Sequence, residues 1–162
     1  SFMEILEESL ALINSQMRKE AIIIKKNIPS NLPQLYAAPQ EIQQVIINIL
    51  SNARYSLNKK YLEHNKDKII EIGAESVNDD KTLYVRISFV DYGIGISPDI
   101  INKIINPFFS TKPRGVGTGL GLSISHGIIS EHGGKMNIKS RENEYTCVNI
   151  DLPAAFKTGQ QD

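Results

Sequence analysis

Ile69-Ile70-Glu71-Ile72-Gly73-Ala74-Glu75-Ser76-Val77 and Leu83-Tyr84-Val85-Arg86-Ile87-Ser88-Phe89-Val90 are two alternating runs, separated by Asn78-Asp79-Asp80-Lys81 and Thr82. Alternation at every second residue turns one face of a strand to a core and the other to solvent. Asn and Asp between two such runs carry the chemistry of a hairpin turn. The stretch therefore predicts two antiparallel strands, over 69–77 and 83–90, at the centre of the chain.

Helical periods surround this hairpin. Upstream, Ile42, Val45, Ile46, Ile49, Leu50, Ala53 and Leu57 recur at three and four, with Pro39 where a first helical residue belongs. Before it, Met3 to Lys19 spaces Ile5, Leu6, Leu10, Leu12, Ile13 and Met17 as a helix, and Ala21 to Ile24 reads as a short buried strand ahead of Pro29 and Pro33. Downstream, Pro98 to Ile105 predicts a short helix and Asn106 to Gly119 a long loop. Leu120 to Glu131 follows as a helix stopped by Gly133-Gly134, with Met136 to Ser140 and Tyr145 to Leu152 as a last strand pair. Strand runs beside helix runs predict an α+β fold, a two-layer sandwich of a mixed, mostly antiparallel sheet with all helices on one face.

Composition narrows the function classes. The 162 residues, 41% of them hydrophobic, read as one domain, 1–162, with a full core. Eighteen basic residues balance eighteen acidic ones, and Lys59-Lys60 and Lys66 to Lys68 flank what reads as a solvated loop. Without a basic stripe, no nucleic-acid partner is expected. Cys147 is the sole cysteine, expected as a packed strand residue, so a disulfide within the chain and a thiol-rich metal site are excluded. No apolar run approaches the ~20 residues that cross a bilayer and no signal peptide opens the chain, so a cytoplasmic location is expected, with any membrane anchor of a parent protein outside this segment.

The candidate chemistry begins where the hairpin ends, at Asp91-Tyr92-Gly93-Ile94-Gly95-Ile96. The glycines let the chain turn tightly beside Asp91. The carboxylate then serves either an ordinary Asx-turn or, if buried against a base, the exocyclic amine of adenine, where guanine would present a repelling oxygen. Thr146, inward-facing on a late strand, is either an ordinary strand residue or the source of a further hydroxyl at the base. Asn48 and Asn52 lie one helical turn apart beside the apolar stripe, either as polar residues on a solvated edge or as carboxamides, of which the oxygen is a hard neutral ligand suited to Mg²⁺.

Gly115-Val116-Gly117-Thr118-Gly119-Leu120-Gly121-Leu122 places four glycines at every second position before a helix. Glycine lets backbone amides approach an anion, and a helix N-terminus adds unsatisfied donors and about half a positive charge. Leu122-Ser123 after Gly121 excludes the Walker phosphate loop, and no parallel strand leads into the glycines as the dinucleotide fingerprint requires. Phe108 and Phe109 precede this run, either as a clip for a lid or as a hydrophobic plug, while Lys112 and Arg114 would face phosphate charge. His64, His126 and His132 have no second ligand at metal spacing and are expected in solvated or capping roles.

Four motifs thus stand in order: Asn48-x-x-x-Asn52, Asp91-x-Gly93-x-Gly95, Pro107-Phe108-Phe109 and Gly115-x-Gly117-x-Gly119-x-Gly121. They resemble the N, G1, F and G2 boxes of the catalytic and ATP-binding domain of sensor histidine kinases, over about residues 36 to 153. Pro107 to Lys112 followed by Gly117 to Ile124 is similar to the lid of the nitrogen-regulation branch. The resemblance implies the Bergerat ATP-binding sandwich, with ATP and Mg²⁺ as ligands. Asn52 would hold the metal, Asn48 and Lys112 would act with it at the phosphates, and Asp91, Gly93, Gly95 and Ile96 would form the adenine side. Tyr55, Phe108, Phe109, Thr111, the stretch Gly115 to Leu122 and Thr146 would complete the nucleotide site.

Two positions depart from the family pattern. Tyr55 stands where a lysine is usual, three residues after the metal-binding asparagine, and Ile105 replaces the first aromatic of the F box. In hydrolysing relatives a glutamate one turn before that asparagine activates water, whereas Asn48 is an amide and no base. The resemblance implies a histidine kinase whose phosphoacceptor lies elsewhere, since no histidine here is followed by an acidic residue and a proline five positions on. Its implied partners are the dimerisation and phosphoacceptor helices of the parent kinase and a response regulator receiver domain, with the isolated domain a monomer. The alternative is an anti-sigma-like or degenerate ATP-binding regulatory module.

Overall fold

A computed structural model describes residues 1–106 and 121–155. Its elements are α1 (Phe2–Lys19), β1 (Ile23–Asn27), α2 (Pro39–Lys60), β2 (Ile69–Asp79), β3 (Thr82–Asp91), α3 (Pro98–Ile101), α4 (Gly121–Glu131), β4 (Lys135–Arg141) and β5 (Tyr145–Pro153). The strands form a mixed sheet in the order β1-β2-β3-β5-β4, in which β1 and β2 alone run parallel. The α+β sandwich expected from the periodicities is the one observed.

The alternating runs explain the core. Ile70, Ile72, Val85, Ile87, Phe89, Val148, Ile150 and Leu152 turn to one face of the sheet and are buried there. Against them lies the apolar stripe of α2, with Ile42, Val45, Ile46, Ile49, Leu50, Ala53 and Leu57 buried. α2 is the central helix, flanked by α1 and by α4. On the opposite face the ladder is polar: Arg86 reaches Asp151 through two hydrogen bonds of 2.7 and 2.8 Å, and Ser88 donates to Asn149 at 2.7 Å. Cys147 lies on this outer face, half-buried, rather than packed in the core.

Three boundaries differ from the periodicity reading. Ala21 to Ile24 is not a buried strand: Ala21 adopts a left-handed φ of 57°, and the amides of Ala21 and Ile22 return to the carbonyls of Arg18 and Met17 at 3.0 and 2.9 Å. This is a Schellman cap closing α1, so pairing starts only at Ile23, and β1 is a mostly exposed edge strand. The hairpin turn is shorter than its run of turn formers, since Asn78 and Asp79 still pair with Leu83 and Thr82, leaving Asp80-Lys81 at the tip with Asp80 at φ 52°. Finally, α3 ends at Ile101, because Lys103 and Asn106 bond only three residues back, as successive turns.

A charged cluster ties α1 to α2. Arg54 binds Glu20 through Nε and Nη2 at 2.5 and 2.6 Å, Asn58 adds a bond of 2.9 Å, and buried Lys68 donates to the Glu20 carbonyl at 2.8 Å. Lys68 is thus a structural group, contrary to its reading as the flank of a solvated loop. Hydrogen bonding from Arg54 draws the Glu20 carboxyl from 4.5 down to about 2. A carboxylate held below its unfolded value stabilises the fold above that value, and the contribution fades as pH falls from 4.5 toward 2. Arg54 keeps 35% of its side chain exposed, so screening leaves about 1–2 kcal/mol of the roughly 3 kcal/mol that the full shift would carry. Glu20→Gln is therefore expected to lower stability by about 1–2 kcal/mol at pH 7, with the difference from the parent narrowing between about pH 5 and 3 in urea unfolding. A constant difference across that range would refute the ion pair as the source.

Candidate functional site

The site sits where β3 ends against α2. Asp91 is the last residue of β3, buried to 6% exposure, and its Oδ1 accepts from the Gly93 amide at 3.0 Å. The Asx-turn that the sequence offered as one of two readings of Asp91 is present, and it leaves Oδ2 without a bond from this turn. Burial pushes the Asp91 carboxyl from 3.8 up to about 6, against the opposing pull of the Gly93 amide, the Ser56 hydroxyl and the Lys60 charge. Such a group is an acceptor in a water-poor place, held ready for a donor. Thr146 is its direct cross-strand partner on β5 and is buried on the same face.

The two glycines after Asp91 mark close approaches. A Cβ on Gly93 would lie 2.1 Å from Ser56 Oγ and 2.6 Å from the Ser56 carbonyl carbon, so only glycine lets the turn touch α2. Gly95 has φ 65°, and a Cβ there would meet the Arg141 carbonyl oxygen at 2.2 Å. Side chains from distant segments then pin the turn. Ser56 Oγ accepts from the Ile94 amide at 2.9 Å, and Ser140 Oγ accepts from the Ile96 amide at 2.8 Å. Lys60 donates to the carbonyls of Tyr92 and Asn143 at 3.2 and 2.8 Å, and the Asn143 amide donates to the Ile94 carbonyl at 2.6 Å. Lys60, read from the sequence as flanking a solvated loop, is instead a fastener of the site.

Asn48 and Asn52 lie half-buried on α2, one turn apart, and Tyr55 follows on the same helix. Asn48 Nδ2 donates to the Gly121 carbonyl at 3.3 Å and to Ser125 Oγ at 3.2 Å, which docks the first turn of α4 on α2. Gly121 Cα accordingly approaches the Asn48 side chain closely, with room for a Cβ at 3.9 Å. Leu122 is the second residue of α4 and half-buried. Asn48, Asn52, Gly121, Asp91, Gly93, Gly95, Ile96 and Thr146 are therefore drawn from α2, α4, the turn after β3 and β5. Phe108, Phe109, Thr111, Lys112, Gly115, Val116, Gly117, Thr118, Gly119 and Leu120 lie outside the described residues.

Sequence reasoning missed Ser56, Lys60 and Ser140. The only signal was spacing, since Ser56 stands one turn beyond Asn52 and Lys60 one turn beyond Ser56 on the helix already singled out. His132 meets its expectation as a capping group: its Nε2 accepts from the Ala38 amide at 3.1 Å while Nδ1 faces the Ile128 carbonyl at 2.7 Å. Among the described residues, no group of three His, Cys, Asp or Glu side chains is placed to hold a metal, and no helix is long and apolar enough to cross a membrane.

The profile of the histidine kinase-, DNA gyrase B- and HSP90-like ATPases matches residues 37–155. The chain belongs to that family. Sensor histidine kinases are among its similar members: the chain is 33% identical to sporulation kinase E of Bacillus subtilis over 151 residues, 93% of this chain and 19% of that protein. It is 30% identical to the sensor histidine kinase ZraS of Salmonella typhimurium, over 98% of this chain and 31% of that protein. The segment thus spans less than a third of these relatives. The nucleotide-free catalytic domain of histidine kinase ThkA superposes with a TM-score of 0.76 at 33% identity, covering 94% of each chain. This histidine kinase-type catalytic domain is accordingly a nucleotide-binding domain by family.

Proposed function

We propose that this domain binds ATP with Mg²⁺ and transfers the γ-phosphoryl group to a histidine on separate dimerisation helices of its parent protein, from which a response regulator receiver domain takes it. The observation that carries the reading is the buried Asp91 at a glycine turn with no room for side chains, facing the Asn48 and Asn52 helix, in a chain of this family. Asp91 reads the exocyclic amine of adenine, with Thr146 beside it. Asn52 offers its amide oxygen to Mg²⁺, and Asn48 holds α4 where that helix faces the phosphates. Bound Mg²⁺ supplies charge neutralisation on the transferred group.

The reading also accounts for the missing lysine at Tyr55. Neighbouring Arg54 is held by Glu20, and Lys60 by two carbonyls, so neither replaces it at the phosphates. Lys112 or Arg114 is left to supply the phosphate charge in this reading. Asn48 offers no general base for hydrolysis, which favours transfer to an aligned nucleophile over turnover in water. The domain works in the cytoplasm, with any membrane anchor in another part of the parent.

Radiolabelled ATP tests this directly. With the dimerisation helices added as a separate polypeptide, an acid-labile, base-stable phosphate is expected on their histidine, and none on this chain alone. Stable label on the chain itself, or brisk ATP turnover without the helices, would favour an autonomous ATPase; ATP binding without any transfer would favour the regulatory-module alternative.

Adenine recognition carries its own prediction. Losing a charge-assisted hydrogen bond in a buried site costs about 1.5–3 kcal/mol, so Asp91→Ala is expected to weaken ATP binding roughly 10- to 150-fold. Because the carboxyl titrates near 6 in the nucleotide-free domain and must be charged to accept the amine, affinity is full above about pH 7 and falls below pH 6. Calorimetry against pH, with guanine nucleotide as the control that does not bind, checks both statements. A flat profile down to pH 5 would remove Asp91 from the recognition of the base.

A further inference from the structure

Ser56 lies at a junction that neither the family motifs nor the asparagine pair account for. It projects from α2 one turn beyond Asn52 and is buried to 9% exposure. Its Oγ accepts from the Ile94 amide at 2.9 Å, and Gly93 packs so closely that any Cβ there would fall on this oxygen. The hydroxyl also favours the charged form of the Asp91 carboxyl, whose Oδ1 is held by the Gly93 amide at 3.0 Å. One small side chain thus contacts the turn at two successive residues, the glycine at its middle and the amide that follows, and Asp91 is tied to the same glycine through its Oδ1.

We propose that Ser56 is a positioning residue for adenine recognition, fixing the Asp91 carboxylate and the Ile94 amide to the helix that carries Asn48 and Asn52. The inference rests on the nucleotide reading above and deepens it. Its physical content is preorganisation: a hydrogen-bonding group held in place before the ligand arrives pays no ordering cost when the base binds. It also couples the two ends of the nucleotide, because the base-reading turn and the asparagines then move as one body with α2.

The other groups acting on Asp91 are the Lys60 ammonium from α2 and the Gly93 amide of its own turn. Both favour the carboxylate, and the Cys147 thiol lies on the opposite face of the sheet. Removing the Ser56 hydroxyl leaves these in place, so the effect on Asp91 has a definite sign: its titration moves upward, further from the ordinary carboxylate range.

Ser56→Ala is the test, since alanine suits a helix interior and keeps the Cβ and backbone that Gly93 also approaches while removing only the hydroxyl. Thermal unfolding verifies that the variant folds. In the nucleotide-free chain, the carboxyl carbon of Asp91, followed by NMR, is expected to titrate at higher pH in the variant. Calorimetry is expected to show ATP bound about five- to tenfold more weakly at pH 7, with the deficit shrinking toward pH 8.5. The preference for ATP over purine riboside triphosphate, which lacks the exocyclic amine, is expected to narrow. An unmoved Asp91 titration with a deficit that ignores pH and the amine would overturn the proposal and leave Ser56 as packing. Should the unaltered chain bind neither nucleotide, the nucleotide reading itself falls, and with it the role in recognition.

Discussion

Asn52→Asp is expected to reduce phosphoryl transfer to the dimerisation helices on the order of a thousandfold, the largest loss that any single side chain of this domain should produce. Transfer relies on positioning and on charge neutralised around the moving phosphoryl group, so a misplaced metal removes several kcal/mol of transition-state stabilisation at once. Asp keeps the size of the side chain but adds a negative charge beside the phosphates, whereas Asn52→Ala removes the oxygen; both should fail. Asn52 is half-buried on a long helix, and Asp and Ala are tolerated there, so thermal stability should change by no more than about 1 kcal/mol. Phosphotransfer assays beside thermal melts decide it, and a variant that still transfers would move the metal to another ligand.

Gly93→Ala should abolish nucleotide binding by a different route. The added Cβ would stand 2.1 Å from Ser56 Oγ and 2.6 Å from a backbone carbon of α2, and a helix backbone cannot yield as a side-chain tip can. Overpacking of this kind costs about 1–3 kcal/mol, and the turn would relieve it by lifting away from α2, taking Asp91 out of register with Thr146. Gly95→Ala adds a left-handed residue to a clash of 2.2 Å with Arg141 and should be at least as damaging. Gly127→Ala is the contrast: nothing lies within 4 Å of a Cβ there, and alanine in α4 should stabilise by roughly 0.5–1 kcal/mol with ATP affinity unchanged. Equal behaviour of the Gly93 and Gly127 variants in calorimetry would refute the close contact.

These contrasts also show what can be read from sequence. α2 and the β2–β3 hairpin were legible because burial imposes a period on many residues at once, and no local chemistry competes with it. Asp91 and its glycines were legible because close approach leaves a mark, the absence of side chains, in adjacent positions. Ser56, Ser140 and Lys60 left no such mark. Each is an ordinary residue in its own helix or strand and gains its role from a partner 38, 44 or 32 positions away. Ala21 misled for the opposite reason: a left-handed cap normally announces itself with glycine, and here an alanine among isoleucines bears that conformation and reads as strand. Lys68 misled because charge suggests solvent, while its ammonium satisfies a carbonyl beside the Glu20 and Arg54 pair.

The sheet order has a last consequence, for behaviour at high concentration. Its two margins are β1 and β4, and a strand at a margin presents main-chain groups that can recruit a strand from another molecule. β1 carries Lys25 and Lys26, and β4 carries Lys135, Lys139 and Arg141. Three of these cations already hold a carboxylate of their own chain, Lys26 with Glu7, Lys135 with Asp79 and Arg141 with Glu144, so a strand from a neighbouring copy could stack against either margin only by disrupting ion pairs as well as displacing water.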